Sequence, residues 1–279
     1  MEHAEKLKEI VKSKYSEIAL QDKATNEASC CGSGCCSDEV YNIMTDDYST
    51  MDGYIKDADL GLGCGLPTAF ANIKKGDTVI DLGSGAGNDC FVARAETGET
   101  GKVIGIDFTP AMILKARENV TKLDFKNVEF IQGDIDHIPL PEKIADVIVS
   151  NCVLNLVPDK DAVFKEMFRV LKPGGHFSIS DIVLVGQLPG SLQQDAEMYA
   201  GCVSGAIQKE NYLQLIEANG FENRTIQKEK AIHIPGDILK KYLSDEEIKN
   251  FREGKTGIFS ITVYAEKPAC CGVECCSNS

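Results

Sequence analysis

The sequence predicts a doubly wound, mostly parallel α/β sheet with an N-terminal helical segment and a C-terminal α+β extension. Three observations carry that expectation. Residues 79–89 read VIDLGSGAGND, a β-branched run that breaks into glycines at 83, 85 and 87 and then into a helical pattern. Residues 102–107, KVIGID, form a second apolar run that ends in an acid. From there to residue 183, strand-length apolar runs alternate with helical stretches, as in parallel strands joined by crossover helices.

The elements follow in order. Leu7, Ile10, Val11, Tyr15 and Ile18 recur at helical spacing, which predicts a helix over 5–20. Residues 21–29 are polar, and 30–36 read CCGSGCC. Residues 38–45 read as a short helix with Asp38 near its start. A polar stretch punctuated by aromatics, 48–58, leads into LGLGCGLP at 60–67, where four Gly or Pro in eight residues predict a loop. A helix over 68–73 precedes the first strand at 78–81, and the helix after the glycines covers 88–95. A helix over 110–122 has Pro in its first turn. The third strand, 128–132, ends in Gly133, Asp134 and Ile135. The fourth, 145–150, is followed by Asn151 and Cys152. A helix over 160–171 is closed by Lys-Pro-Gly-Gly before the fifth strand at 176–183. Beyond Gly186 the pattern weakens. Residues 191–200 and 211–219 read as helices around a small-residue break, GCVSGA at 201–206. Strands at 224–234 and 258–266 flank a helical insertion at 237–251. This divides the chain into an N-terminal helix and Cys-rich segment (1–60), a ligand-binding α/β domain (61–190), a substrate-site and strand-hairpin region (191–267) and a Cys-rich tail (268–279).

Composition bounds the function. The 279 residues carry 43 acidic against 29 basic side chains, a formal charge of −14. That balance argues against nonspecific binding to nucleic acid or to an anionic membrane. No window approaches the roughly 20 consecutive apolar residues of a membrane span, and the charged first 20 residues lack an apolar signal core. The expectation is a cytoplasmic protein, and nothing suggests an obligate dimer, so a monomer is expected. Twelve Cys are many for that setting, where cysteines bind soft metals, catalyse or sense redox state more often than they form structural disulfides.

Strand, glycine turn and helix present a nucleotide-like ligand at the carboxyl edge of a sheet. A dinucleotide fingerprint would place Gly or Ala three residues after Gly85, where Asn88 stands. Asp107, 20 residues past Gly87, can accept both ribose hydroxyls and would repel a 2′-phosphate. The D-x-G-x-G-x-G pattern resembles the cofactor loop of class I S-adenosylmethionine methyltransferases, whose Rossmann-like fold matches the predicted one. The resemblance implies that Asp81 organises the methionine end of the cofactor and that Gly83 and Gly85 let the backbone close over it. It also implies that Asp107 holds the ribose, Phe108 lies on the adenine face, Asp134 and Ile135 read the adenine, and Asn151 stands beside the transferring methyl.

Four cysteines lie between the two ends of the chain. Cys90 sits in the helix after the glycine loop and reads as a small packed hydrophobe. Cys64, Cys152 and Cys202 fall in three loops that this topology brings toward one crevice, where three thiols would make a trigonal soft-ligand site. The contexts LGLGCGLP, SNCVLNL and GCVSGA, together with DLGSGAGND, resemble the arsenite (arsenic(III)) S-adenosylmethionine methyltransferases over about residues 41–206. The resemblance implies that these three cysteines bind trivalent arsenic. It also implies that an N-terminal Cys forms a transient disulfide with Cys64. That role falls within Cys30, Cys31, Cys35 and Cys36, with Cys36 taken as its catalytic candidate. A thioredoxin- or glutathione-type reductant is implied as the partner that resets the thiols.

Residues 30–36 and 270–276 form the one internal repeat, CCG-x-x-CC. Cys270, Cys271, Cys275 and Cys276, with the N-terminal quartet, have three readings: capture of arsenic or another soft metal, a dithiol reservoir, or a four-Cys zinc site. Two rival functions stay open at this point. One is a methyltransferase for a small organic acceptor, the other a metalloid buffer or sensor on a methyltransferase fold.

Overall fold

The computed structural model describes residues 2–21, 46–187, 205–232, 239–240, 243–253 and 257–269. The strands are β1 (Thr78–Leu82), β2 (Lys102–Asp107), β3 (Val128–Gln132), β4 (Ala145–Asn151), β5 (Leu171–Val185), β6 (Glu222–Ile232) and β7 (Gly257–Glu266). The helices are α1 (Glu2–Ala19), α2 (Asn88–Thr97), α3 (Pro110–Leu123), α4 (Lys160–Val170), α5 (Lys209–Ala218) and α6 (Asp245–Glu253). All seven strands join one sheet in the order β3-β2-β1-β4-β5-β7-β6. The first five pair in parallel, and β7 runs antiparallel to both β5 and β6. The expected C-terminal strand pair is therefore the far edge of the sheet. Strand order reverses between β1 and β4, the position where an open α/β sheet leaves a crevice at its carboxyl edge.

Apolar residues alternate across the central strands and feed two layers. Ile80, Leu82 and Ile148 pack on one face with Phe164, Phe177, Tyr212 and Phe221. Val79, Val147 and Val149 pack on the other with Phe91, Val103 and Phe130. Each such side chain contributes about 1.5–3 kcal/mol when fully buried. That double burial is why these strands read as continuous apolar runs.

Several boundaries differ from expectation. The helix expected at 68–73 is a single 3₁₀ turn, Thr68–Phe70, because Asn72 turns left-handed at φ 51°. The Lys-Pro-Gly-Gly segment does not close α4 as a separate loop. Leu171 already pairs with Ala145, and an irregular register, with Gly174 at φ 79°, carries the chain straight into β5. The helix after the glycine loop runs two residues longer than predicted, to Thr97. The insertion between the last strands contributes α6. The helices expected at 38–45 and 191–200 lie outside the described residues.

Helix α1 lies across the carboxyl edge. Ile18 and Ala19 pack against Met112 of α3, and Lys115 donates to the carbonyls of Ala19 and Gln21, satisfying acceptors that a helix end leaves open. Val11 is buried in the cluster that holds Cys64 and Cys152.

Candidate active site

A cavity of about 1080 Å³ opens at the carboxyl ends of β1 to β4. Its floor is the glycine loop. Gly83, Gly85 and Gly87 have φ of 73°, 51° and 100°, in the left-handed region that favours glycine. A Cβ on Gly83 would also run into the side chain of Val153. The N–H groups of Gly83 and Ser84 both donate to the carbonyl of Ile106, which pins the loop to β2.

Asp107 ends β2 and is buried at the cavity wall. One carboxylate oxygen accepts from Thr109 N at 2.8 Å and the other from Gly85 N at 3.0 Å. Each oxygen keeps a further acceptor site for a ligand hydroxyl. Burial pushes its pKa above the ordinary carboxylate value, and those two N–H groups oppose the rise. Phe108 and Ile135 line the cavity beside it. Asp134 lines it as well, and there the structure adds a partner: Lys8 of α1 pairs with Asp134 at 3.1 Å and with Asp136 at 3.0 Å. These pairs are partly exposed, and such pairs contribute little to stability. Their consequence is geometric, since they hold α1 at the cavity mouth.

The other end of the cavity is acidic. Asp81, Asp89 and Asp59 all line it and all are buried. Burial drives Asp81 well above the usual carboxylate range, and the neighbouring charge of Asp89 adds to it. Burial also pushes Asp89 up to about 6, against hydrogen bonds from Tyr48, Asn151 and Thr68. Carboxylates buried close together in this way favour a positively charged ligand. Cys90 packs in the apolar layer with Phe91, Val103 and Phe130, as expected of a small hydrophobe. Its thiol also donates to Asp81 Oδ2 at 3.2 Å, and burial, then that carboxylate, push the thiol well above its ordinary pKa.

Asn151 lines the cavity, but its amide is engaged by protein. Oδ1 accepts from Cys64 N at 3.0 Å. Nδ2 donates to Gly65 O at 2.9 Å, to Asp89 Oδ2 at 3.3 Å and to the hydroxyl of Tyr48. Tyr48 in turn donates to Asp89, 2.8 Å from Oδ2.

The cysteines are reached through this network. Cys64 and Cys152 are buried thiols of one apolar cluster, with Val11, Leu156, Ile182, Leu184 and Ala206. Cys152 lines the cavity and has φ 61°, a costly conformation for a residue with a Cβ. Its N–H donates to Ser180 O at 2.8 Å, which holds the strained residue at the end of β4. The carbonyl of Cys64 accepts from Ser260 of β7. Cys202 lies outside the described residues. Ala206, four residues on, packs in the cluster with Cys64 and Cys152. Cys30, Cys31, Cys35, Cys36, Cys270, Cys271, Cys275 and Cys276 also lie outside the described residues, so their three readings stand as they were. Among the described residues no cluster of three His, Cys, Asp or Glu is placed to hold a metal ion.

Sequence reasoning missed Lys8, Tyr48 and Asp89. Asp89 stood inside the glycine-loop motif, where an acid in the first turn of a helix was the available signal. Lys8 and Tyr48 carried none.

The residues fit S-adenosylmethionine. Among the described residues, buried Ser84 Oγ and Asn88 Oδ1 have no hydrogen-bond partner, and both residues line the cavity. A ribose-height carboxylate at Asp107, an acidic end at Asp81 and Asp89 and a floor too tight for a Cβ at Gly83 complete the match.

Comparison with known proteins agrees. Residues 73–220 match a methyltransferase-domain family. The chain is 42% identical to a Halobacterium salinarum protein named arsenite methyltransferase, over 95% of this chain and 68% of that one. It is 33% identical to the human arsenite methyltransferase over 70% of this chain and 55% of that protein, so it spans little more than half of the human relative. Among solved structures, an arsenic(III) S-adenosylmethionine methyltransferase from Chlamydomonas reinhardtii superposes with a TM-score of 0.62 at 32% identity, covering 74% of this chain and 68% of that one.

Proposed function

The chain belongs to the arsenite methyltransferase family, and we propose that it methylates trivalent arsenic held on cysteine thiolates, using S-adenosylmethionine. One observation carries the proposal. Cys64 and Cys152, from separate loops, pack in one apolar cluster, and Cys152 also lines the cavity at the carboxyl edge.

Asp107 holds the ribose hydroxyls. Asp81 and Asp89 face the cationic methionine end, and Phe108, Asp134 and Ile135 face the adenine. When bound, the cofactor supplies an electrophilic methyl group on a positive sulfur. Cys64, Cys152 and Cys202 hold arsenic through three sulfur bonds, which leaves the arsenic a lone pair directed away from them. That lone pair is the nucleophile. It carries no proton, so no general base is needed. His137 and His176 are absent from the cavity lining. Alignment of the lone pair with the methyl is therefore the main contribution of the protein. Apolar walls around the thiols exclude water from the arsenic–sulfur bonds.

Methyl transfer raises arsenic from the trivalent to the pentavalent state. Two thiolates return it by giving up two electrons and closing into a disulfide, and an external dithiol of thioredoxin or glutathione type reopens that disulfide. We assign the disulfide to Cys64 and one of the N-terminal quartet, with Cys36 the candidate. We place the reaction in the cytoplasm, where such dithiols are maintained, and infer a monomer.

The test is direct. Purified protein is incubated with arsenite, S-adenosylmethionine and a dithiol, and the arsenic species are separated. Methylated arsenic is expected. Cofactor binding without methylated arsenic would move the assignment to a small organic acceptor. Arsenite binding without turnover would move it to a buffer or sensor.

The acidic end of the cavity predicts a pH dependence. A cationic ligand binds ionised Asp89, which takes up a proton as pH falls through about 6. Cofactor affinity should therefore be about tenfold weaker at about pH 5 than at about pH 7.5, with release of a proton on binding at the acidic end of that range visible by calorimetry in two buffers. A flat affinity over that range would place the cation elsewhere.

A further inference from the structure

We infer that Asn151 is a positioning residue through which cofactor binding and arsenite capture strengthen one another. The inference rests on the reading of Cys64 as an arsenic ligand.

Asn151 stands between two sites that must act together. On one side its Nδ2 donates to Asp89, 3.3 Å away, and to Tyr48, which itself donates to Asp89. Asp89 lines the cavity at its acidic end. On the other side its Oδ1 accepts from the N–H of Cys64 at 3.0 Å, and Nδ2 also reaches the carbonyl of Gly65 at 2.9 Å. One planar amide thus holds the Cys64 N–H and, one residue further on, the Gly65 carbonyl.

The loop has little room to move independently of this amide. A Cβ on Gly63 would stand 2.7 Å from Asn151 Nδ2, and a Cβ on Gly65 would run into Ser180. Both glycines flanking Cys64 are pressed against side chains, Gly63 against Asn151 at the end of β4 and Gly65 against Ser180 within β5. Ser260 of β7 holds the Cys64 carbonyl. The position of the Cys64 thiol therefore follows the orientation of Asn151, while Cys152 is the very next residue in the chain. A rotation of the amide changes the spacing of the two sulfurs.

A cation at the acidic end favours ionised Asp89. An ionised carboxylate accepts more strongly from the Tyr48 hydroxyl and from Asn151 Nδ2 than a neutral acid does. The amide is then held in the orientation that pins Cys64. In reverse, arsenic bridging Cys64 and Cys152 locks the loop, the amide and through it the carboxylate that receives the cation. Linkage requires the two effects to be equal in size.

The experiment uses the full chain, reduced, with sinefungin as the probe. Sinefungin carries an amine where the cofactor carries its methylsulfonium, so it brings positive charge without turnover. Arsenite is titrated with and without saturating sinefungin in the wild type and in Asn151→Asp, Tyr48→Phe and Cys64→Ser. In the wild type sinefungin should tighten arsenite about fivefold or more, and arsenite should tighten sinefungin by the same factor. Asn151→Asp keeps an acceptor for the Cys64 N–H but removes the donors to Gly65, Tyr48 and Asp89. Tyr48→Phe breaks the same connection from its other end, and decides the matter if the aspartate variant does not fold. In both, the factor should fall toward one. The ratio cancels any uniform loss of affinity, which is all that a purely structural defect would cause. A wild-type factor of one, or an undiminished factor in the variants, overturns the inference. Arsenite bound by Cys64→Ser as tightly as by the wild type overturns the ligand assignment instead.

Discussion

Cys152→Ser is expected to lower arsenite methylation by roughly 10³-fold or more, a loss of about 4 kcal/mol in transition-state stabilisation. The physical reason is the softness of the ligand. Serine replaces a polarisable thiolate by a hydroxyl that stays protonated and does not hold trivalent arsenic, so the lone pair is no longer fixed before the methyl. The substitution isolates this effect. Serine is nearly isosteric with cysteine, and the left-handed backbone at φ 61° and the hydrogen bond from residue 152 N to Ser180 O remain available to it. Cofactor affinity, measured by calorimetry with the nonreactive analogue and no arsenite, should stay within about threefold of the wild type. Cys202→Ser should behave alike. Wild-type turnover in both variants would end the three-thiolate mechanism.

Asp107→Ala is expected to raise the Kd for S-adenosylmethionine by roughly a hundredfold. Two hydroxyl donors to one carboxylate contribute about 1.5–3 kcal/mol each when they replace water poorly, and the variant also leaves Gly85 N and Thr109 N without their acceptor. Asp107→Asn keeps one acceptor oxygen and should lose roughly tenfold. Arsenite affinity without cofactor should be unchanged in both, because Asp107 is not in the cluster that holds Cys64 and Cys152. Equal losses for cofactor and arsenite would show that the loop had collapsed rather than lost a ribose contact.

Much of this site could be read along the chain. The strand before the glycine loop announces itself through β-branched residues, and Gly83, Gly85 and Gly87 through a backbone conformation that other residues resist. Asp107 follows from its place at the end of the next strand. The contexts of Cys64, Cys152 and Cys202 stand out through their resemblance to the arsenite methyltransferases. The fold adds contacts at three of these residues. Asn151, expected beside the methyl, lines the cavity and engages its amide with Cys64, Gly65, Tyr48 and Asp89. Cys90 packs in an apolar layer as expected and also donates to Asp81. Asp134, expected with Ile135 at the adenine, shares Lys8 with Asp136.

By itself the sequence determined the sheet, the cofactor loop and the family. These depend on periodicity, backbone preference and residue type, all of which are written within a few neighbouring positions. Tertiary structure decided how the cofactor end is joined to the thiols. Lys8 meets Asp134 across 126 residues, Tyr48 meets Asn151 across 103 and Ser260 meets Cys64 across 196. Local pattern carries no trace of such pairings. Which polar groups meet is set only when the strands align and every buried donor must find an acceptor.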